Sequence, residues 1–193
     1  MSKKKDYPPV VAFVETVEKL FPENGSMLEI GVWKGETTSS YSTIVKNRGG
    51  KLYLIDWFMG NTEYQSQNPH GYNSQPTSFV RECLESNIKD VGCEDITTII
   101  EGDSTKVIDQ IEDNSLDLIF VDGGHTYDIA IQDLRNSYKK IKVGGVIAGH
   151  DYNQPPVRKA VDKFAEEVSL AYDVVQDPKG QKQPIYVFKP KEV

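Results

Sequence analysis

Apolar positions along the chain alternate between two periods. Residues 10, 13, 14, 17, 20 and 21 are apolar, the spacing of a helix with one buried stripe, entered from Pro8 and Pro9 and stopped by Pro22, Asn24 and Gly25. Met27 to Ile30 is a short apolar strand that turns at Gly31, passes Gly35 and enters a helix from Thr37 to about Lys46. Lys51 to Asp56 reads as a second strand, Thr77 to Lys89 as a helix with apolar groups at 79, 80, 83, 84 and 88, and Asp95 to Ile100 as a third strand. A helix capped by Asp103 or Ser104 runs to Ile111. Ser115 to Val121 is nearly continuous apolar sequence, as a parallel strand covered on both faces requires. A helix from Thr126 to Ile141, a strand from Val143 to Gly149 and a helix from Pro155 through Glu167 follow. Tyr172 to Val175 and Ile185 to Phe188 close the chain as two strands.

Strand and helix thus alternate five times before a terminal strand pair. That order predicts an α/β fold: a Rossmann-like, doubly wound, mostly parallel sheet with helices on both faces. No repeat or linker divides the chain, so residues 1–193 are expected to form a single domain, with residues 1–25 supplying a covering helix. Residues 57–77 break the pattern. They are polar, rich in Asn, Gln and Tyr, and longer than most connections in compact domains, so a lid over a ligand site is expected there, with a disordered surface insertion as the alternative.

Composition narrows the class. The chain has 193 residues, 38% hydrophobic, and a formal net charge of −7. Apart from Lys3, Lys4 and Lys5 there is no basic stripe, which argues against nucleic acid as a partner. No apolar run approaches membrane-spanning length and the N-terminus lacks an apolar leader segment, so a cytoplasmic protein without membrane contact is expected. Cys83 and Cys93 lack the spacing of a metal site and fall short of a disulfide framework.

Right-handed crossovers place the carboxyl ends of the parallel strands on one edge, where doubly wound sheets bind ligands. Glu29, Gly31, Asp56, Asp103, Asp122, His125, His150 and Asp151 collect there. The first turn is Gly-x-x-x-Gly, with Trp33 where a dinucleotide fingerprint carries its middle glycine, which disfavours a nicotinamide cofactor. Asp56 follows Gly31 by 25 residues, close to the roughly 20 at which an acid meets a ribose in such folds. His125 and His150 are candidates for proton transfer. Their structural alternatives are a helix cap for His125, a filled strand end for His150 and a turn at Asp151. His70, within the lid stretch, reads as a solvated loop residue, and Trp33 and Tyr41 as packing beside a cofactor.

The stretches LEIGVWKGETTSSY, LIDWF, EGDS, DLIFVDGGHTYD and GGVIAGHDY, in that order, resemble a class I S-adenosylmethionine-dependent methyltransferase. More narrowly, they resemble the small-molecule O-methyltransferases that include the macrocin-type sugar O-methyltransferases. The resemblance implies a seven-stranded sheet of order 3-2-1-4-5-7-6 with the last strand antiparallel. It implies S-adenosylmethionine as cofactor, with Glu29, Gly31 and Gly35 at its methionine part, Asp56 at its ribose, Asp103 and Ser104 beside its adenine, and Asp122 at its amino group or the reacting end. Asp122, His125 and His150 are the catalytic candidates. In metal-dependent members the acid after the fourth strand and a pair after the fifth hold a divalent ion. Here that set is Asp122, His150 and Asp151, with Mg²⁺ or another divalent metal as the ion, and the His-Asp pair departs from the two acids of the sugar enzymes. The implied activity is O-methylation of a small hydroxylated acceptor, sugar- or polyol-like, and many relatives are homodimers. Two alternatives keep the fold: a metal-dependent reaction other than methyl transfer, as in hydroxylase-associated relatives, or a non-catalytic cofactor-binding module.

Overall fold

The computed structural model describes residues 8–59, 77–177 and 179–190. Of the lid stretch, residues 60–76, with His70, lie outside the described residues, as do Lys3, Lys4 and Lys5. The elements run α1 (Val11–Leu20), β1 (Ser26–Ile30), α2 (Glu36–Asn47), β2 (Lys51–Asp56), α3 (Thr77–Asp90), β3 (Thr97–Glu101), α4 (Ser104–Val107), β4 (Leu116–Val121), α5 (Tyr127–Lys140), β5 (Ile141–Gly149), α6 (Pro155–Val168), β6 (Tyr172–Val175) and β7 (Ile185–Phe188). They form one seven-stranded sheet of order β3-β2-β1-β4-β5-β7-β6. β1 to β5 are parallel, while β7 runs antiparallel to both β5 and β6. This is the expected topology.

Two apolar layers cover the sheet because side chains alternate along each strand. Met27 of β1 packs with α1, α2 and α3 residues such as Phe13, Tyr41 and Leu84. Leu28 and Ile30 face the opposite way, with Ala130, Leu134 and Phe164 of α5 and α6. Phe13 of α1 stacks on Phe120 of β4 at 3.7 Å between ring centroids and meets Tyr41 edge-on at 5.6 Å. The N-terminal helix therefore covers the sheet, as its apolar stripe requires. Cys83 and Cys93 are buried free thiols within the same half of the molecule. Among the described residues no helix is long and apolar enough to cross a membrane.

Three boundaries differ from the sequence reading by two residues or more, each for a local reason. Glu94–Ile96 form a turn of 3-10 helix, so β3 starts at Thr97 rather than Asp95. The helix after β3 lasts only from Ser104 to Val107 before tightening to 3-10 geometry at Ile108–Gln110. β5 starts earlier, at Ile141, because Ile141 pairs with Leu116 before the register slips and Val146 takes up pairing with Leu118. Gly144, at φ +81°, absorbs that slip.

Candidate active site

The strand ends form a continuous row held by backbone hydrogen bonds. Gly31 N–H donates to Ile55 O at 2.8 Å, Asp122 N–H to Ile30 O at 2.8 Å, His150 N–H to Val121 O at 3.0 Å, and Gly102 N–H to Asp56 O at 3.0 Å. Five neighbouring strands, β3-β2-β1-β4-β5, therefore end together at one edge, and the crevice opens where β1 passes to β4, the reversal point of a doubly wound sheet.

On the β1–β2 side the chain turns through three residues of positive φ: Gly31 at +84°, Trp33 at +51° and Gly35 at +78°. A Cβ on Gly31 would lie 2.0 Å from Asp122 O, so only glycine lets β1 and β4 close up at this point. Gly35 is the N-cap of α2 and supplies no capping side chain, leaving that helix's first N–H groups facing the crevice edge. The Asp56 carboxylate accepts Trp33 N–H at 2.8 Å and Phe58 N–H at 2.7 Å, one on each oxygen. Burial raises its pKa while these backbone donors oppose the shift. The Val32 and Trp57 N–H groups also bond to the carboxylate, so the turn after β1 and the end of β2 close around it.

Glu29 lies beneath this turn and is 1% exposed. Its Oε2 accepts Thr38 Oγ1–H and Tyr41 Oη–H, both at 2.5 Å. Burial pushes Glu29 up to about 8 despite those two donors. The structure thus places Tyr41 as a fully buried partner of Glu29 within the α2 layer. Asp103 caps α4, accepting Thr105 N–H at 3.1 Å and pairing with Lys106 at 2.9 Å. Ser104 donates its hydroxyl to Asp133 Oδ1 at 2.7 Å.

On the β4–β5 side Asp122, His125, His150 and Asp151 converge, lining one small pocket with Gly123, Gly124 and Tyr186. His125 Nε2 is 2.7 Å from Asp151 Oδ2. His150 Nδ1 is 3.3 Å from Asp122 Oδ1 and 3.6 Å from Asp151 Oδ2. Neither histidine acts as the helix cap: Thr126 occupies that position for α5. Asp151 adopts φ +57°, a left-handed conformation costing a non-glycine residue about 1 kcal/mol, and that geometry turns its carboxylate back toward both rings. Burial lowers the His150 pKa, but Asp122 and Asp151 outweigh it and hold the imidazole up at about 10. Burial likewise acts to raise Asp151, and the bonds to His125 and His150 overcome it to hold the carboxyl well below the usual range. The two acids thus favour the protonated imidazole at His150, whose Nε2 is buried with no partner among the described residues, while the half-buried His125 faces the pocket.

Ligand atoms of Asp122, His125 and Asp151 all lie within 4.8 Å of one another. Two carboxylates and an imidazole at that spacing fit a divalent cation, and the imidazole widens the choice beyond Mg²⁺ to Mn²⁺, Fe²⁺ or Zn²⁺. The sequence set Asp122, His150 and Asp151 differs by one histidine, since His150 turns its Nδ1 toward the two acids as a donor. The residue that the sequence pattern did not single out is Asp133, on α5. Its signal was an acid among Ala130, Ile131 and Leu134, the buried stripe of α5.

Residues 28–152 match the family model described as a methyltransferase domain. The chain is 36% identical over 59 residues to the uncharacterized protein R132 of Acanthamoeba polyphaga mimivirus, a match spanning 28% of this chain and 27% of that protein. Among solved structures, the O-methyltransferase NovP superposes with a TM-score of 0.69 at 17% identity, covering 94% of this chain and 81% of NovP. The O-methyltransferase TomG from Streptomyces achromogenes, crystallised in complex with S-adenosylmethionine, gives 0.65 at 14% identity over 93% of this chain and 78% of its own. An rRNA methylase from Streptococcus thermophilus gives 0.68 at 12% identity over 100% and 99%. At such identities the structural likeness concerns the fold.

Proposed function

Because the chain belongs to this family of S-adenosylmethionine-dependent methyltransferase domains, we propose that it O-methylates a hydroxyl of a small sugar- or polyol-like metabolite, at the pocket where β4 and β5 end. The observation that carries this reading is the His125–Asp151 contact, a carboxylate-held imidazole beside Asp122 and the cationic His150. An alcohol is a weak nucleophile until its proton has somewhere to go, and a positioned imidazole is suited to take it. With Nε2–H donated to Asp151, the other ring nitrogen of His125 accepts the acceptor's hydroxyl proton, and Asp151 stabilises the imidazolium that forms.

Bound S-adenosylmethionine supplies a methyl group already activated on a sulfonium, so the protein's share is placement and deprotonation. The Gly31–Gly35 turn and the α2 N-terminus form the cradle for the methionine part, and Asp56 takes the ribose hydroxyls. His150, charged and buried, fixes the two carboxylates relative to each other. A divalent ion held by Asp122, His125 and Asp151 would instead lower the acceptor hydroxyl's pKa as a Lewis acid. A net charge of −7 without a basic stripe favours a small acceptor over a nucleic acid.

Incubation with S-adenosylmethionine and a panel of sugars, polyols, phenols, amines and short RNAs, read as S-adenosylhomocysteine release, tests the reading. Turnover on sugars or polyols supports it. Turnover confined to amines or RNA, or no cofactor binding, overturns it.

A further inference from the structure

Asp133 is 1% exposed, yet it sits on the apolar stripe of α5, with Ser104 as its one hydrogen-bond partner among the described residues. Its second oxygen, Oδ2, is buried with no partner among those residues, and a Cβ built on Gly123 would stand 3.0 Å from it. The carboxyl group is therefore bonded to the segment after β3 and lies directly behind the loop after β4. Oδ1 holds the segment after β3, where Ser104 begins α4, and Oδ2 backs the loop after β4 that carries Asp122 and His125. Burying a polar group with half its bonding capacity unused costs stability, and an apolar side chain at this position would fill the stripe without that cost.

We propose that Asp133 is a positioning residue for methyl transfer, clamping the cofactor wall at Ser104 to the acceptor wall at Gly123. The inference rests on the cofactor part of the function proposed above and adds a residue to it. The clamp acts through the Ser104 hydroxyl, which is turned inward to Asp133, so this side chain contributes to the site by fixing the segment rather than by projecting into the crevice. Burial pushes Asp133 up to about 7, with the nearby Asp103 carboxylate acting in the same direction against the Ser104 bond. A neutral amide is thus a close substitute for the carboxyl group: Asp133→Asn retains an acceptor for Ser104 and a polar group of the same shape behind Gly123. Asp133→Leu retains the branched shape, with bulkier tips, and removes both.

Calorimetric titration with S-adenosylhomocysteine on the full chain, at a temperature well below every variant's unfolding midpoint, separates these roles. D133N is expected to bind within about twofold of wild type, D133L about tenfold more weakly, and S104A to share most of that loss. D133L combined with S104A is expected to be no weaker than D133L alone, because a shared contact is lost once. Wild-type binding together with unchanged D133L binding overturns the clamp and leaves Asp133 as packing. Additive losses in the double variant overturn the Ser104 route. Wild-type protein that binds no S-adenosylhomocysteine overturns both this inference and the functional reading, so the two failures are distinguishable.

Discussion

Two histidines stand within reach of the same aspartate, and their surroundings give them opposite work. His150, 4% exposed between Asp122 and Asp151, is held as a cation, and a cation can donate but not accept. His125 is more open and is oriented by Asp151, and in the function proposed above it is the ring that exchanges a proton with the acceptor. His125→Gln is therefore expected to lower kcat by about 10²–10⁴, the usual contribution of general acid–base catalysis. S-adenosylhomocysteine affinity should stay within about twofold of wild type; a comparable loss of affinity would show that His125 serves the cofactor instead. The first glycine makes a second residue-scale case. With φ at +84° and Asp122 O only 2.0 Å from where a Cβ would stand, Gly31→Ala must move β1 away from β4. It is expected to cost about 2 kcal/mol or more of stability and to abolish cofactor binding, readable by denaturant unfolding and calorimetry.

At the scale of elements, the sheet was legible because each strand carries its own boundary. Lys51–Asp56, Tyr172–Val175 and Ile185–Phe188 have the observed limits, set by flanking glycines, prolines or charges. The misread starts of β3 and β5 lie where apolar residues continue through a 3-10 turn or a register slip, which periodicity does not distinguish from strand. The site was legible as a gathering of residues and not as a set of pairings. Parallel topology brings Asp122 and the His150–Asp151 pair to adjacent strand ends, but only the left-handed turn at Asp151 decides that its carboxylate reaches His125. The Ser104–Asp133 contact joins residues 29 apart on different elements, and no local pattern announces it. Metal dependence belongs to this scale too, since its three donors come from two strand ends and one loop. Dialysis against a chelator is expected to abolish turnover if Asp122, His125 and Asp151 hold an ion, with activity restored by Mn²⁺ or Fe²⁺ and the metal counted by elemental analysis. Full activity in metal-free protein would leave the His125–Asp151 pair as the base.

Across the described residues of both layers, burial holds acids above their ordinary pKa, Glu29 and Asp133 furthest. Glu29 lies on the layer built by α1, α2 and α3 and is raised to about 8; Asp133 lies on the layer of α5 and α6 and is raised to about 7. Both prefer a proton in the folded state, so their contribution is greatest below the unfolded carboxyl range and declines as pH rises through the folded values. For Glu29 the decline runs from about pH 4.5 to 8, and for Asp133 from about 3.8 to 7. Where both are protonated in the folded state but ionised in the unfolded one, each adds a slope approaching about 1.4 kcal/mol per pH unit. The apo protein is therefore expected to lose thermal stability steadily between pH 5 and 8. Glu29→Gln should remove one part of that loss and Asp133→Asn another, leaving the decline that the raised His150 pKa adds from about pH 6.5 upward. Because the two acids belong to opposite faces of the sheet and draw on different hydrogen-bond partners, the double variant should show the sum of the two flattenings. Melting curves of the four proteins at pH 5, 6, 7 and 8 decide it. A wild type whose midpoint rises over that range would mean that both carboxyls are ionised in the folded protein, and that Thr38 and Tyr41 around Glu29, and Ser104 beside Asp133, hold anions rather than acids.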